Sequence, residues 1–241
     1  KETPDINKVV GSYKGKPPET EGEKFDATLA NIEKRTQRAV LGNGMKLAIL
    51  QKGTRGKVVR ARVTMRYGSE ADFTNLRLAS SMLDDAMSRG TRKHNFQQLK
   101  DQWDQLEAQV GFGTQPGQLD VNIQTTRDNL PAVLALVDEV LRQPSFPQDQ
   151  FDISIKEAVS ALEEQKQDPQ AQAFAAVARV IGQYPKAHPL YSPTTDEQIA
   201  GLKALRLADV RKFHGMLGMS NASMSIVGDV DAPAIKSWVE K

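Results

Sequence analysis

The chain has 241 residues, 39% hydrophobic and 26% charged, so its length and composition are those of a globular protein that can bury a sizeable core. Its 32 basic and 30 acidic residues are interspersed and leave a formal net charge of +2, which excludes the concentrated basic patch typical of nucleic-acid-binding proteins. The absence of cysteine excludes thiol catalysis, thiolate metal sites and disulfides, and no apolar run is long enough for a membrane span.

Residues 1–25 are predicted to form an extended linker, because they contain Pro4, Pro17 and Pro18 and show little apolar periodicity. Residues 26–241 are expected to form a single α+β domain that is truncated at its C-terminal end. Since the sequence does not begin with methionine, we expect it to be a fragment of a longer protein.

The first predicted elements are strands. Asn43-Gly44 predicts a tight turn with positive φ angles between residues 38–41 and the alternating apolar residues 45–49. Residues 59–67 alternate between apolar and polar side chains, which predicts a third strand with one face buried.

Two helices are predicted to follow. Apolar residues recur at helical spacing over residues 75–89, with Gly90 as the stop, and again over residues 96–110, with Gly111 as the stop. The second stripe could be a binding face, but packing against a sheet is the favoured interpretation, because any helix that covers a sheet needs such a stripe.

The remaining pattern predicts, in order, a strand at 119–125, helices at 130–141, 148–167, 171–181, 197–202 and 208–217, a strand at 222–227 and a final helix capped by Asp231. Strands that recur between helical blocks and include a hairpin favour an α+β fold. We expect a largely antiparallel mixed sheet of about five or six strands, covered on one face by helices.

Eight short stretches resemble, in the same order, the pitrilysin/insulinase family of inverted-motif zinc metallopeptidases, which includes the mitochondrial processing peptidase. They are Leu41 to Lys46, Gly68-Ser69-Glu70, Gly90-Thr91, Leu106 to Gly111, Asp128 to Pro131, Pro144-Ser145-Phe146, His188 to Tyr191 and Gly228 to Asp231. The resemblance covers nearly the whole chain after the linker, and it implies the sheet-plus-helices domain of that family.

The resemblance also implies that the zinc signature is degenerate. Active members carry H-x-x-E-H on the helix that corresponds to residues 75–89, and its two imidazoles bind zinc while the glutamate activates water. Counting back from Gly90-Thr91 places Ser81, Asp84 and Asp85 at those positions, so both imidazoles are missing. Glu157 and Glu164 resemble the carboxylate pair of the later helix, with Glu164 at the position of the third ligand.

Asp84, Asp85 and Glu164 are therefore candidates for a carboxylate cluster near the lost site. One interpretation is that these acids face water or pair with basic side chains. The other is a calcium or magnesium site, which would need about six oxygen ligands, and the sequence shows no ligand loop. We expect no metal and no catalytic residue in this chain.

Other catalytic patterns receive little support. The three histidines, His94, His188 and His214, share no spacing of three or four residues and are expected to be structural or solvent-facing. The sequence contains no nucleophile elbow around a serine and no phosphate-binding glycine loop.

By this resemblance, the chain is expected to be a noncatalytic domain from the second half of an inverted-motif zinc peptidase, inactive alone. It would form scaffold and part of the peptide-chamber wall for a homologous zinc-bearing half. That half would hold the zinc, and the substrate would be a peptide. Two alternatives remain: an inactive partner of a separate zinc-bearing subunit, and a pure assembly module of the same fold. The compartment stays open, although the resemblance favours the bacterial periplasm or cell envelope.

Overall fold

The computed structural model describes residues 21–240. Residues 1–20, which make up most of the predicted linker, and Lys241 lie outside the described part of the chain. Residues 21–28 contain no helix or strand, and a short helix that the sequence pattern did not predict, α1 (Leu29–Arg35), precedes the sheet.

The domain is built on one mixed sheet of six strands. In chain order these are β1 (Thr36–Val40), β2 (Lys46–Gln51), β3 (Val58–Arg66), β4 (Gln109–Gln115), β5 (Gln118–Thr126) and β6 (Ala222–Gly228). Their order across the sheet is β1-β2-β6-β3-β5-β4, and among these described strands only the β2–β6 pair is parallel. The predicted α+β class and the largely antiparallel mixed sheet are confirmed.

Period-two alternation sets the two faces of this sheet. On β3, Val59, Ala61 and Val63 are buried, while Arg60 and Arg62 between them are exposed. Because successive strand residues point to opposite faces, a single register decides which side of the sheet becomes the core. The polar face carries Arg60, Arg62 and their cross-strand partners, and the apolar face supports the helices.

The helices lie between and after the strands. Their bounds are α2 (Glu70–Phe73), α3 (Arg77–Ser81), α4 (Leu83–Ser88), α5 (Phe96–Gln105), α6 (Leu130–Arg142), α7 (Gln148–Gln165), α8 (Pro169–Ile181), α9 (Thr195–Ala204), α10 (Leu207–His214) and α11 (Ala232–Val239). Asp231 caps α11 by accepting a hydrogen bond from the Ala234 amide, as the sequence predicted.

The core joins the apolar side of the sheet to α4, α6 and α10. In α6, eight of 13 residues are buried, which anchors this helix on the sheet. Tyr67 at the end of β3 packs edge-on against Phe73 and Phe213, whose rings stack on each other with centroids 5.2 Å apart. Such aromatic contacts add to the burial of apolar area and fix how α10 sits against the sheet.

Two predicted helices differ in the structure. The predicted helix at 75–89 is two short helices, α3 and α4, because Met82 leaves the helical region with φ −100° and ψ 4°. The predicted helix at 96–110 ends at Gln105, since Glu107 takes a positive φ of 46° and the chain then enters β4. The stop that was assigned to Gly111 was therefore wrong.

The first hairpin forms where the sequence predicted it, but only one residue of its turn has a positive φ. Gly44 has φ +88°, whereas Asn43 stays outside that region and accepts a hydrogen bond from the Met45 amide at 3.0 Å. Asn43 thus stabilises the turn through its side chain rather than through its backbone angles.

Candidate functional site

The positions that correspond to the zinc signature lie around the break between α3 and α4. Ser80 is fully buried and its Oγ lies 2.9 Å from the Tyr67 hydroxyl, so this polar pair connects the end of α3 to the residue that follows β3. Met82 then starts a new helix. As a result, Ser81 and Asp85 do not share one continuous helical turn.

Ser81 is exposed and bonds back to its own helix. Its hydroxyl donates a hydrogen bond to the Leu78 carbonyl oxygen at 3.0 Å, which satisfies the side chain within its own helix. A hydroxyl used in this way supplies no ligand to a site on α4 or α7.

Asp84 connects α4 to the edge strand β4. The Thr114 hydroxyl donates to Asp84 Oδ1 at 2.8 Å. Burial raises the pKa of Asp84 above its ordinary value, and the hydrogen bond from Thr114 offsets only part of that effect. Asp84 therefore serves as an anchor between a helix and the sheet.

Asp85 and Glu157 are joined by one cation, the guanidinium of Arg89. Arg89 Nε lies 3.0 Å from Asp85 Oδ1, and Nη2 lies 2.6 Å from Glu157 Oε2. The Arg89 side chain is only 12% exposed and lies over the Phe96 ring, with its central carbon 4.8 Å from the ring centroid. Burial acts to lower the pKa of Arg89, but the two carboxylates outweigh it and raise that pKa.

This Asp85–Arg89–Glu157 triad leaves one buried atom unpaired. Asp85 Oδ2 is inaccessible to solvent and has no hydrogen-bond partner among the described residues. Both close Arg89 nitrogens contact the other carboxylate oxygen, Oδ1, so Oδ2 receives no hydrogen bond from this cation.

Glu164 stands apart from this triad. It lies two turns after Glu157 on α7, is exposed, and makes no side-chain hydrogen bond or ion pair to any residue in the described range. The hypothetical cluster of Asp84, Asp85 and Glu164 is therefore not assembled: Asp84 bonds to β4 and Asp85 bonds to Arg89. Over residues 21–240, no group of three or more His, Cys, Asp or Glu side chains could hold a metal ion.

A second polar cluster, which the sequence pattern did not reveal, lies beneath the loop after α4. Glu139 of α6 is 9% exposed; its Oε1 accepts a hydrogen bond from the Thr91 hydroxyl and lies 2.8 Å from His94 Nδ1. Burial acts to raise the pKa of Glu139, but the hydrogen bonds from Thr91 and His94 outweigh it and lower that pKa. In the sequence, the one sign of this cluster is that Glu139 interrupts the apolar face of α6.

Each histidine has its own structural partner, which keeps the three apart. His94 contacts Glu139, His188 Nε2 lies 3.4 Å from Glu70 Oε1, and His214 Nε2 lies 2.8 Å from the Leu141 carbonyl oxygen. These separate locations agree with the structural role that the sequence predicted and provide no converging pair of imidazoles.

Comparison with known proteins identifies the family. The model of the insulinase family, peptidase family M16, matches residues 47–194, which is more than half of the chain. No curated protein matches the chain. Described residues contain no helix that is long and apolar enough to cross a membrane.

Several solved structures share the fold. A peptidase M16 inactive domain from Pseudomonas fluorescens superposes with a TM-score of 0.73 at 19% identity, over 85% of this chain and 49% of that chain. A protease from Helicobacter pylori gives a TM-score of 0.68 at 20% identity, over 85% of this chain and 49% of that chain. The periplasmic protease PqqL from Escherichia coli gives a TM-score of 0.67 at 14% identity, over 86% of this chain and 23% of that chain.

The chain thus spans about half of the first two structures and about a quarter of the third. Identities this low establish a shared fold and leave activity, substrate and partner to be argued from the site. The family match, together with the sheet and helices that carry it, shows that the chain belongs to the insulinase family of peptidases, family M16.

Proposed function

We propose that this chain is a noncatalytic M16 domain that provides scaffold and part of the peptide-chamber wall for a zinc-bearing half. One observation carries the proposal: Arg89 supplies the positive charge between Asp85 and Glu157, the carboxylates at the positions of the signature helix and the later helix. The Pseudomonas fluorescens structure with the same fold is described as an inactive domain, which supports the proposal.

The donor set does not fit zinc. Tetrahedral zinc sites in proteins are built mainly from imidazole and thiolate ligands, and catalytic sites keep an open position for water. The positions that resemble the signature offer one hydroxyl, already bonded to Leu78, and two carboxylates, already bonded to Thr114 and Arg89. We therefore derive no step of peptide hydrolysis from this chain.

A noncatalytic domain can still contribute to catalysis by another half. Enclosing a peptide excludes water from the metal site and holds the substrate in place. Zinc would be supplied by the companion half, on the same polypeptide or on a separate subunit. A compartment such as the bacterial periplasm is part of this proposal, supported by the periplasmic protease PqqL among the structures of the same fold.

The test compares three samples: this chain alone, the companion half alone, and the two together, each with unstructured peptides and zinc. We expect turnover only where the companion half is present, and an increase of tenfold or more when this chain is added. Chelator-sensitive turnover by this chain alone would refute the proposal. A complete assembly that lacks H-x-x-E-H and cleaves no peptide would instead favour a pure assembly module.

A further inference from the structure

Helix α8 (Pro169–Ile181) presents its apolar side to solvent. Phe174 is 68% exposed, Val177 54%, Val180 71% and Ile181 80%. None of the 13 residues of α8 is buried, whereas α6, which has the same length, buries eight. An amphipathic helix in a complete structure normally turns its apolar side inward, so α8 has the opposite orientation.

The inward side of α8 carries small and polar side chains rather than the large apolar ones. Ala171, Gln172, Ala175 and Arg179 are half-buried, and Gln172 Nε2 donates to the Gln165 carbonyl oxygen at 3.3 Å. Beyond the first turn, where Gln170 is also exposed, every exposed side chain of α8 is apolar: Ala173, Phe174, Ala176, Val177, Ala178, Val180 and Ile181. A continuous exposed patch of this kind marks an interaction surface.

We infer that the outward face of α8, defined by Phe174, Val177, Val180 and Ile181, docks against an apolar surface of the companion M16 half. This inference rests on the proposed function. All three matched structures contain at least about as much chain outside the matched region as within it, so proteins with this fold regularly carry a further segment of domain size. Support for a companion half comes from the Escherichia coli protease, of which about three quarters lies outside the matched region, whereas the Pseudomonas fluorescens chain is described as inactive.

The chemistry of α8 favours a protein surface over a lipid surface. Helices that lie on membranes carry Lys and Arg along their polar side, which attract anionic headgroups. The only charged residue of α8 is Arg179, and it is half-buried against its own domain. An uncharged apolar stripe of this length instead fits a hydrophobic groove or helix on a partner protein.

The test identifies what contacts position 174 in the complete native assembly that contains this chain. Phe174→p-benzoylphenylalanine is introduced and irradiated, and the crosslinked peptides are sequenced by mass spectrometry. The matched control carries the same group in place of Leu29, an 85%-exposed apolar residue on α1. We expect position 174 to crosslink to the companion half, in a segment of the same polypeptide or subunit that bears H-x-x-E-H, at least tenfold more than position 29.

Crosslinking to a second copy of this chain, to lipid, or to nothing would overturn the inference. If the assembly contains a zinc-bearing half that position 174 does not reach, the docking surface fails while the proposed function stands. If the assembly contains no such half, both fail. As a second measurement, Phe174→Asp should weaken association with the companion half at least tenfold and Leu29→Asp should not; equal association by both variants would also overturn the inference.

Discussion

Arg89 Nη2 lies 2.6 Å from Glu157 Oε2, so one salt bridge connects the residue that follows α4 to the middle of α7. Arg89 Nη2 also lies 3.0 Å from Oδ1 of Asp85, which belongs to α4. A guanidinium offers several donors in a fixed plane and is always charged, which suits it to neutralise two carboxylates at once. This triad is the feature that distinguishes the candidate site from a metal centre.

Replacing Arg89 should destabilise the domain. Arg89→Met removes the partner of Asp85, whose Oδ2 is already buried and unpaired, and we expect the free energy of unfolding to fall by about 1–3 kcal/mol. Glu157 is 61% exposed, so Glu157→Gln should cost less than about 1 kcal/mol. Urea unfolding of each variant measures both quantities.

The matched control for that comparison is Glu164→Gln, which changes an exposed acid on the same helix. It should alter the unfolding free energy by less than about 0.5 kcal/mol. If Arg89→Met were as stable as Glu164→Gln, the triad would have no structural role.

Asp84 predicts a stability that depends on pH. Burial raises its pKa in the folded protein, so the folded state holds the proton at pH values where the unfolded chain has lost it. The carboxyl therefore favours folding below its ordinary pKa of 3.8 and opposes folding once the pH exceeds its raised, folded-state pKa. Asp84→Asn keeps an oxygen that can accept from Thr114 and should be more stable than the natural chain at pH 7.

This advantage of Asp84→Asn should shrink as the pH falls toward 3.8, which unfolding measured across a pH series can show. Asp209→Asn is not a suitable control, because Asp209 is paired with Arg206. Asp101, an exposed acid on α5, provides a better one, and Asp101→Asn should change the unfolding free energy at pH 7 by less than about 0.5 kcal/mol. An Asp84→Asn variant less stable than the natural chain at pH 7 would contradict the assignment.

Glu139 predicts the opposite dependence. Its pKa is lowered in the folded protein, so its stabilising effect is present above its ordinary pKa of 4.5 and is lost as the pH falls through the folded value. Glu139→Gln weakens the contacts to Thr91, His94 and Lys93, and we expect a loss of about 1–3 kcal/mol at pH 7. If the loss of unfolding free energy in Glu139→Gln became larger as the pH fell, the role assigned to Glu139 would be contradicted.

Gly228 at the end of β6 should accept no side chain. It has φ +143°, and a Cβ there would lie 2.5 Å from the Val58 carbonyl oxygen and 2.8 Å from the Val59 Cα. Gly228→Ala should destabilise the domain by more than about 2 kcal/mol, because the crowding atoms belong to the backbone of β3. Gly111→Ala, on β4 with no atom within 4 Å of the added carbon, is the control and should be nearly neutral in thermal unfolding.

The strands could be predicted from the sequence where one face of the strand is buried and the other is exposed to solvent. β3 and β5 show this alternation clearly, because every second residue enters the core. β4 is an edge strand in which Gly111 and Gly113 replace side chains on the polar face, so its alternation is weak. Its first apolar residue, Val110, also fits the helical spacing of the apolar residues of α5, so the sequence pattern predicted a longer helix and no strand here.

The candidate site was harder to predict, because long-range partners decide it. Ser81, Asp84 and Asp85 could be identified by their distance from Gly90-Thr91, but nothing local shows that Arg89 reaches across to α7. The break at Met82 is equally invisible, since Leu76, Ala79, Leu83 and Met87 keep helical spacing through it. Tertiary packing of Ser80 against Tyr67 accompanies that break.

Zinc titration of the purified chain, monitored by calorimetry and followed by a crystal structure with stoichiometric zinc, tests the central claim most directly. We expect no stoichiometric binding at micromolar zinc and an unchanged Asp85–Arg89–Glu157 triad. A tightly held, four-coordinate ion touching Ser81, Asp85 and Glu164, with Arg89 displaced, would contradict it.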